Sequence, residues 1–209
     1  MPRSPASKSS IYTPPHWPKH IRYLTTQQYH SSVEKDVLEI IRGQRVPSSH
    51  RPLNAQPSFV VIRRITGPSD HPASAFRVCI MRESVQLNQR YLHSKQAVGQ
   101  FGLFAAKKIP PRTCLLDYLG EVHCDDRPLS DYDLSLYRNP DGSVSVGVDA
   151  SVMGNEGRFV NDYRGIRARP NAQFEERRID RGELRMSIWT GGEAIKKGEE
   201  ILVSKQVNP

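Results

Sequence analysis

Cysteine is scarce in this chain: Cys79, Cys114 and Cys124 are the only three, and no two lie close together at metal-ligand spacing. A disulfide framework and a self-contained zinc site are therefore not expected, and a reducing compartment fits best. Long apolar runs are missing as well. No stretch approaches a membrane-spanning length, and the Pro- and Ser-rich N-terminus has no apolar core of a secretion signal. The expectation is a soluble intracellular protein, nuclear or cytoplasmic, with no membrane contact. There is no internal repeat and no sustained heptad, which sets aside solenoids and coiled coils. Acidic residues are fewer than basic ones, 22 Asp and Glu against 30 Lys and Arg, for a formal net charge of +8. That balance favours acidic partners, nucleic acid among them, without selecting one.

What remains is a chain of 209 residues, enough for one main core with extensions. Residues 1–30 are rich in Pro, Ser, Lys and His and read as a flexible basic arm, the one segment through which nucleic acid could be bound. Residues 31–98 read as an N-terminal extension. In it "SSVEKDVLEIIRG" predicts a short amphipathic helix from a Ser31/Glu34 capping box to Gly43. "SFVVIRRI", Ser58 to Ile65, predicts a strand, and residues 74–98 read as an insertion. From Gly99 onward the pattern changes. "LFAAKKI", "TCLLDYLGEV", "SVSVGVDA", "LRMSIWT" and "EEILVS" are short β-type runs punctuated by Pro, Gly, Asn and Asp. The fold class expected is α+β, a β-rich irregular domain over residues 99–205. Its densest set of functional side chains lies in the loop-like stretch from Asn161 to Phe174.

Four ordered segments of that half resemble a known family. "GQFGLFAAKKIPPRTCLLDYLGEV" resembles the opening of a SET domain, the fold of protein-lysine methyltransferases. "VDASVMGNEGRFVND" is similar to its second signature, "RPNAQF" to the Pro-Asn continuation and "IKKGEEILV" to the closing Gly-Glu-Glu strand. Within the family the chain looks most like compact fungal SET proteins reading "RFVNDYRG". The resemblance implies S-adenosylmethionine as cofactor and a protein substrate with an exposed lysine, such as a histone tail.

By the same resemblance Gln100, Phe101 and Gly102 form the cofactor turn, with Gln100 standing where the family usually has Gly. Arg158, Asn161 and Asp162 line the cofactor pocket; an ordinary Asn-Asp turn is the other reading of the last two. Tyr118 and Phe174 match positions of the lysine channel, where aromatic walls hold a lysine stem and a cation; each could equally be plain core. The family's closing strand runs on to a catalytic tyrosine, and here that register holds Lys205. An ammonium there repels both a sulfonium and an incoming lysine unless burial neutralises it. Two functions follow as expectations: a SET-type lysine methyltransferase, or a catalytically silent SET module that binds protein.

Overall fold

The computed structural model describes residues 13–43, 59–65, 101–180 and 182–205. These form an α+β arrangement of thirteen short strands, one α-helix and one 3-10 helix. The predicted insertion over residues 74–98, and Gln100, lie outside the described residues.

The helix α1 spans Lys35–Arg42. Glu34 occupies its N-cap without a side-chain hydrogen bond, so the expected capping box from Ser31 does not form. Ser32 is drawn elsewhere: its hydroxyl donates to Asp125 and accepts from the Cys124 amide. The C-terminal end falls where the sequence predicts, at Gly43, whose φ of 63° suits a residue without Cβ. Val37 and Ile41, one turn apart, are the buried face.

Three sheets carry the core. β5 (Cys114–Asp117), β11 (Ala172–Arg178) and β12 (Leu184–Thr190) form an antiparallel sheet with β12 in the middle. β12 is buried along almost its whole length, its polar Arg185, Ser187 and Thr190 as well as its apolar Leu184, Met186 and Ile188. β2 (Gln28–Tyr29), β6 (Glu121–His123), β8 (Ser145–Asp149) and β7 (Asp133–Arg138) form the second sheet in the order β2-β6-β8-β7. Alternation in β8 sends Val146 and Val148 into the core and leaves Gly147 against His123 and Asp133. β3 (Val60–Arg64) pairs antiparallel with β4 (Phe101–Ala105), so the segment before the gap in the described residues is sewn directly to the one after it.

Two-residue parallel ladders complete the fold. β1 (Arg22–Tyr23) pairs with β9 (Met153–Gly154), and β10 (Asn161–Asp162) pairs with β13 (Leu202–Val203). The run "TCLLDYLGEV" is split into β5 and β6 around Gly120. A Cβ there would come within 2.4 Å of the Asp149 carbonyl oxygen.

The N-terminal segment departs from the expected flexible arm. From Thr13 onward it is laid against the domain: Ile21 and Leu24 are buried, and Trp17 packs edge-on against both Tyr23 and Phe159. Each buried aliphatic side chain contributes about 1.5–3 kcal/mol. With the β1 and β2 ladders added, that offsets the ordering of a Pro- and polar-rich stretch whose composition alone argued against it. Among the described residues no helix is long and apolar enough to cross a membrane.

Candidate active site

β10 and β13 organise the site. Their parallel register sets Asn161 beside Leu202 and Asp162 beside Val203, and successive side chains of a strand point to opposite faces. Asn161 and Asp162 accordingly serve two different groups of residues.

On the first face, the Asn161 Nδ2 donates to Glu200 Oε1 at 2.8 Å and to the Phe101 carbonyl at 3.3 Å. Gly102 lies directly beneath. A Cβ at that position would stand 2.5 Å from Glu200 Oε1 and 3.0 Å from the Phe104 ring. Burial raises the Glu200 pKa above the usual carboxylate range, and the hydrogen bond from Asn161 only partly opposes it. Phe101 keeps its ring against Phe159, centroids 6.0 Å apart. Phe101, Gly102 and Asn161, predicted from three separate positions, are thus brought together. Glu200 joins them, and sequence reasoning missed it; its one signal is the Gly-Glu-Glu step that introduces the closing strand.

On the second face, the Asp162 carboxylate accepts from the Arg164 amide and guanidinium and from the Lys205 amide. Its charge is spent on fixing the turn after β10 and the end of β13. Arg158 also turns inward: only 7% exposed, it donates through Nε to the Ala150 carbonyl at 3.0 Å and stacks over the Tyr132 ring at 4.3 Å. The structure gives the Arg158 side chain internal partners and the Asp162 side chain a bracing part.

Tyr132 is the centre of this second group and carries no sequence signal at all. Its carbonyl accepts the Tyr118 hydroxyl at 2.7 Å, and the Lys205 Nζ lies 5.9 Å from its ring centroid. Tyr118 is 3% exposed and meets Phe174 edge-on, centroids 5.8 Å apart at 89°. Burial lifts the Tyr118 pKa well above its ordinary value, so it stays a neutral donor. Phe174, only partly buried, packs against two groups of buried residues, one containing Ile188 and Val203 and the other Val148 and Met186. For Lys205, burial pulls the pKa down from the ordinary lysine value, while Asp162 and Asp131 pull it up and Arg158 adds to the lowering; the net direction is downward.

The hinge between the groups is Asn155, N-cap of the 3-10 helix Glu156–Phe159. Its Oδ1 accepts from Leu119 and Gly157 amides, and its Nδ2 donates to the Asp117 carbonyl. That ties the turn following β5, which carries Tyr118, to the helix that carries Arg158 and Phe159.

The SET domain family model matches residues 100–204, half of the sequence. The chain belongs to the SET domain family. Among solved structures it is similar to an active polycomb repressive complex 2 in the basal state: 27% identity, TM-score 0.43, over 54% of this chain and 14% of that one. It is also similar to the Chaetomium thermophilum polycomb repressive complex 2, at 26% identity and TM-score 0.42 over 54% of this chain and 14% of that one. A third is KRYPTONITE in complex with mCHH DNA, H3(1-15) peptide and SAH, at 17% identity and TM-score 0.40 over 52% and 21%. The chain spans only a small part of the length of these proteins. Comparison with curated proteins finds no match.

Proposed function

We propose that this chain is a protein-lysine N-methyltransferase that uses S-adenosylmethionine and acts on a lysine of a histone or another protein. The observation that carries the reading is the Phe101–Gly102–Asn161–Glu200 group. It suits the amino-acid end of such a donor: Asn161 spends its NH2 on Phe101 and Glu200, which leaves its Oδ1 to accept from an ammonium beside a half-buried carboxylate. Gly102 lets the Glu200 carboxylate close onto this turn, since a Cβ there would stand 2.5 Å from its Oε1. The chemistry supplied by the donor, when bound, is an electrophilic methyl group on a sulfonium sulfur.

The chain's own residues supply position and dryness. Methyl transfer needs a neutral lysine amine in line with the methyl group, and most of the rate comes from alignment in a water-poor site. Tyr118 and Phe174 offer a rigid aromatic corner for the lysine stem, the former locked by its bond to Tyr132. Asp162 holds the start of the C-terminal segment through the Lys205 amide.

Lys205 favours a second reading, a silent module that binds protein without turnover, because it stands at the register of the family's catalytic hydroxyl. Burial lowers the Lys205 pKa from the ordinary lysine value, against the pull of Asp162 and Asp131. Calorimetric titration with S-adenosylmethionine, followed by a methyl-transfer assay on core histones, separates the two. Binding with transfer supports the enzyme, binding without transfer supports the silent module, and no binding overturns the enzyme and leaves the protein-interaction reading.

A further inference from the structure

We propose that β3, β4 and the turn at 196–199 present a binding surface for the phosphodiester backbone of nucleic acid, carried by Arg63, Lys107, Lys108, Lys196 and Lys197. This surface stands apart from the methyltransferase reading, and neither needs the other. It places nucleic-acid contact on the folded domain, not on the basic arm to which composition alone assigned it.

Strand register gathers the five cations from three separate parts of the chain. β3 pairs with β4, which sets Arg63 opposite Gly102. Along the other edge of β4, isolated bridges join Phe104 to Glu200 and Ile109 to Ile195 in one common register, so residues 106–108 run beside residues 196–198. The Arg63 guanidinium crosses β4 above Phe104, its Cζ 5.8 Å from the ring centroid, and a Cβ on Gly198 would stand 4.0 Å from its Nη1. Lys107 lies over the Phe59 ring at 4.2 Å. All five side chains are exposed. They form one stripe, from Arg63 across the turn to Lys107 and Lys108.

The backbone beneath the stripe is fixed. The Ala105 amide donates to the Glu199 carbonyl at 2.9 Å, the Gly198 amide donates to the Ala105 carbonyl at 2.8 Å, and Ile109 and Ile195 exchange bonds of 2.8 and 3.0 Å. Leu103, Ala105, Ile109, Ile195 and Ile201 are buried under it. The charge above is unspent. Arg127, Arg164, Arg169, Arg177 and Arg185 are held in ion pairs, whereas none of the five is paired with a carboxylate among the described residues. No acid occurs in residues 59–65 or 101–113. Residues 193–201 hold three, and each is engaged elsewhere: Glu193 with Arg169, Glu199 with the Lys196 amide and Glu200 with Asn161.

An unneutralised stripe on a rigid sheet selects a polyanion, and its surroundings select which one. Among the described residues the exposed large apolar side chains are Ile40, Leu129 and Val152, none of them on these strands. The stripe therefore has no wedge for a lipid surface and no anchor for an acidic protein partner. Nucleic acid needs neither, because displaced counterions supply its affinity. The half-buried rings of Phe59 and Phe104 already lie under Lys107 and Arg63, so bases are offered no free aromatic face for stacking. Contact is with phosphates and independent of base sequence, and a duplex, with its higher charge density, is the better ligand.

The test is fluorescence anisotropy of the full chain with a short labelled DNA duplex over a range of salt concentrations. Lys107→Glu combined with Lys197→Glu is expected to weaken binding roughly tenfold at about 0.1 M salt and to flatten the slope of log K against log salt by about two, with the melting temperature unchanged. Lys35→Glu combined with Arg138→Glu makes the same change of net charge at exposed positions elsewhere, and Arg3→Ala combined with Lys8→Ala discharges part of the basic arm; each should leave binding within about twofold. An equal loss in the Lys35 and Arg138 pair, or a loss confined to the Arg3 and Lys8 pair, overturns the surface. So does binding that ignores salt, and so does a single strand bound more tightly than the duplex, since bases are then the contact. Phosphatidylserine vesicles or poly-glutamate that compete as well as the duplex at equal charge overturn the choice of nucleic acid. DNA and RNA duplexes run in parallel rank the two sources of the same phosphate chemistry, and either order supports the surface.

Discussion

Asn161 and Glu200, thirty-nine positions apart, share a 2.8 Å hydrogen bond directly above Gly102. The carboxylate is half-buried and its pKa is raised by that burial, so its ionised form opposes folding, and the amide of Asn161 is the partner that keeps it there. Removing the charge should expose the division between stability and function. Glu200→Gln retains an oxygen to accept from Asn161 and drops the buried charge. A folded-state pKa above the unfolded one means that the ionised group detracts from stability at pH values above both. The variant is therefore expected to melt higher at neutral pH than the native chain while binding S-adenosylhomocysteine about tenfold more weakly. Differential scanning calorimetry and isothermal titration read the two effects separately. A variant with unchanged donor affinity would remove Glu200 from the cofactor site.

Gly102→Ala tests the same contact from below. The added Cβ stands 2.5 Å from Glu200 Oε1, and because that oxygen is held by Asn161, relief requires breaking the bond. A loss of about 1–3 kcal/mol in denaturant unfolding is expected. Pairing the change with Glu200→Ala should recover most of that loss without restoring donor binding, a non-additivity diagnostic of direct contact. Additive losses would place the strain at Phe104 instead.

His123 gives a pH dependence that has nothing to do with the site. Its Nδ1 faces the Asp125 carbonyl oxygen at 2.8 Å and its Nε2 faces Asp133 Oδ1 at 2.9 Å, so both nitrogens meet acceptors. Burial pulls its pKa down, but the Asp133 hydrogen bond and charge outweigh it and the net shift is upward from 6.5. A raised folded-state pKa stabilises the fold fully below the unfolded value and ceases to do so as pH rises through the folded one. Melting temperature should thus decline as pH is raised from about 6 past the folded value, by an amount that Asp133→Asn largely abolishes. A pH-independent melting temperature across that range would show that His123 is held neutral.

Legibility in the sequence divides along physical lines. Fold class was readable because "GLFA", "YLGE", "RFVND" and "GEE" are local patterns in fixed order, and β12 was readable because Leu184, Met186 and Ile188 alternate with polar residues in a β-type run. The N-terminal segment was not, since β1 and β2 are two-residue parallel ladders whose pairing partners lie far along the chain, and Trp17 finds its contacts at Phe159. Tertiary contact there overrides a composition that favours disorder. Within the site, the assembly of Phe101, Gly102, Asn161 and Glu200 is a matter of strand register, invisible before β10 is seen beside β13. Tyr132 was illegible for another reason: it acts through its backbone carbonyl and ring face, which any aromatic residue at that point of the loop could supply.

On the methyltransferase reading, Lys205 is the residue on which turnover at the aromatic corner can be tested. Its amide is pinned by Asp162 at 2.9 Å, so the backbone at this register is fixed and a replacement side chain will start from the same place. The Lys205 side chain runs toward the Tyr132 ring, where it adds positive charge to a region already holding Arg158. A tyrosine at position 205 removes that charge and adds a hydroxyl, which in a dry site can accept from the incoming amine and polarise toward the methyl group. Lys205→Tyr should raise the rate of methyl transfer to core histones at least tenfold, leaving donor affinity within about twofold of the native chain. Lys205→Met, which removes the charge without adding the hydroxyl, separates the two contributions. If Met gains as much as Tyr, repulsion was the whole obstacle; if only Tyr gains, the hydroxyl is what the site lacks. A native rate undiminished beside Lys205→Tyr would mean that the lysine, with its pKa lowered by burial, already fills the part.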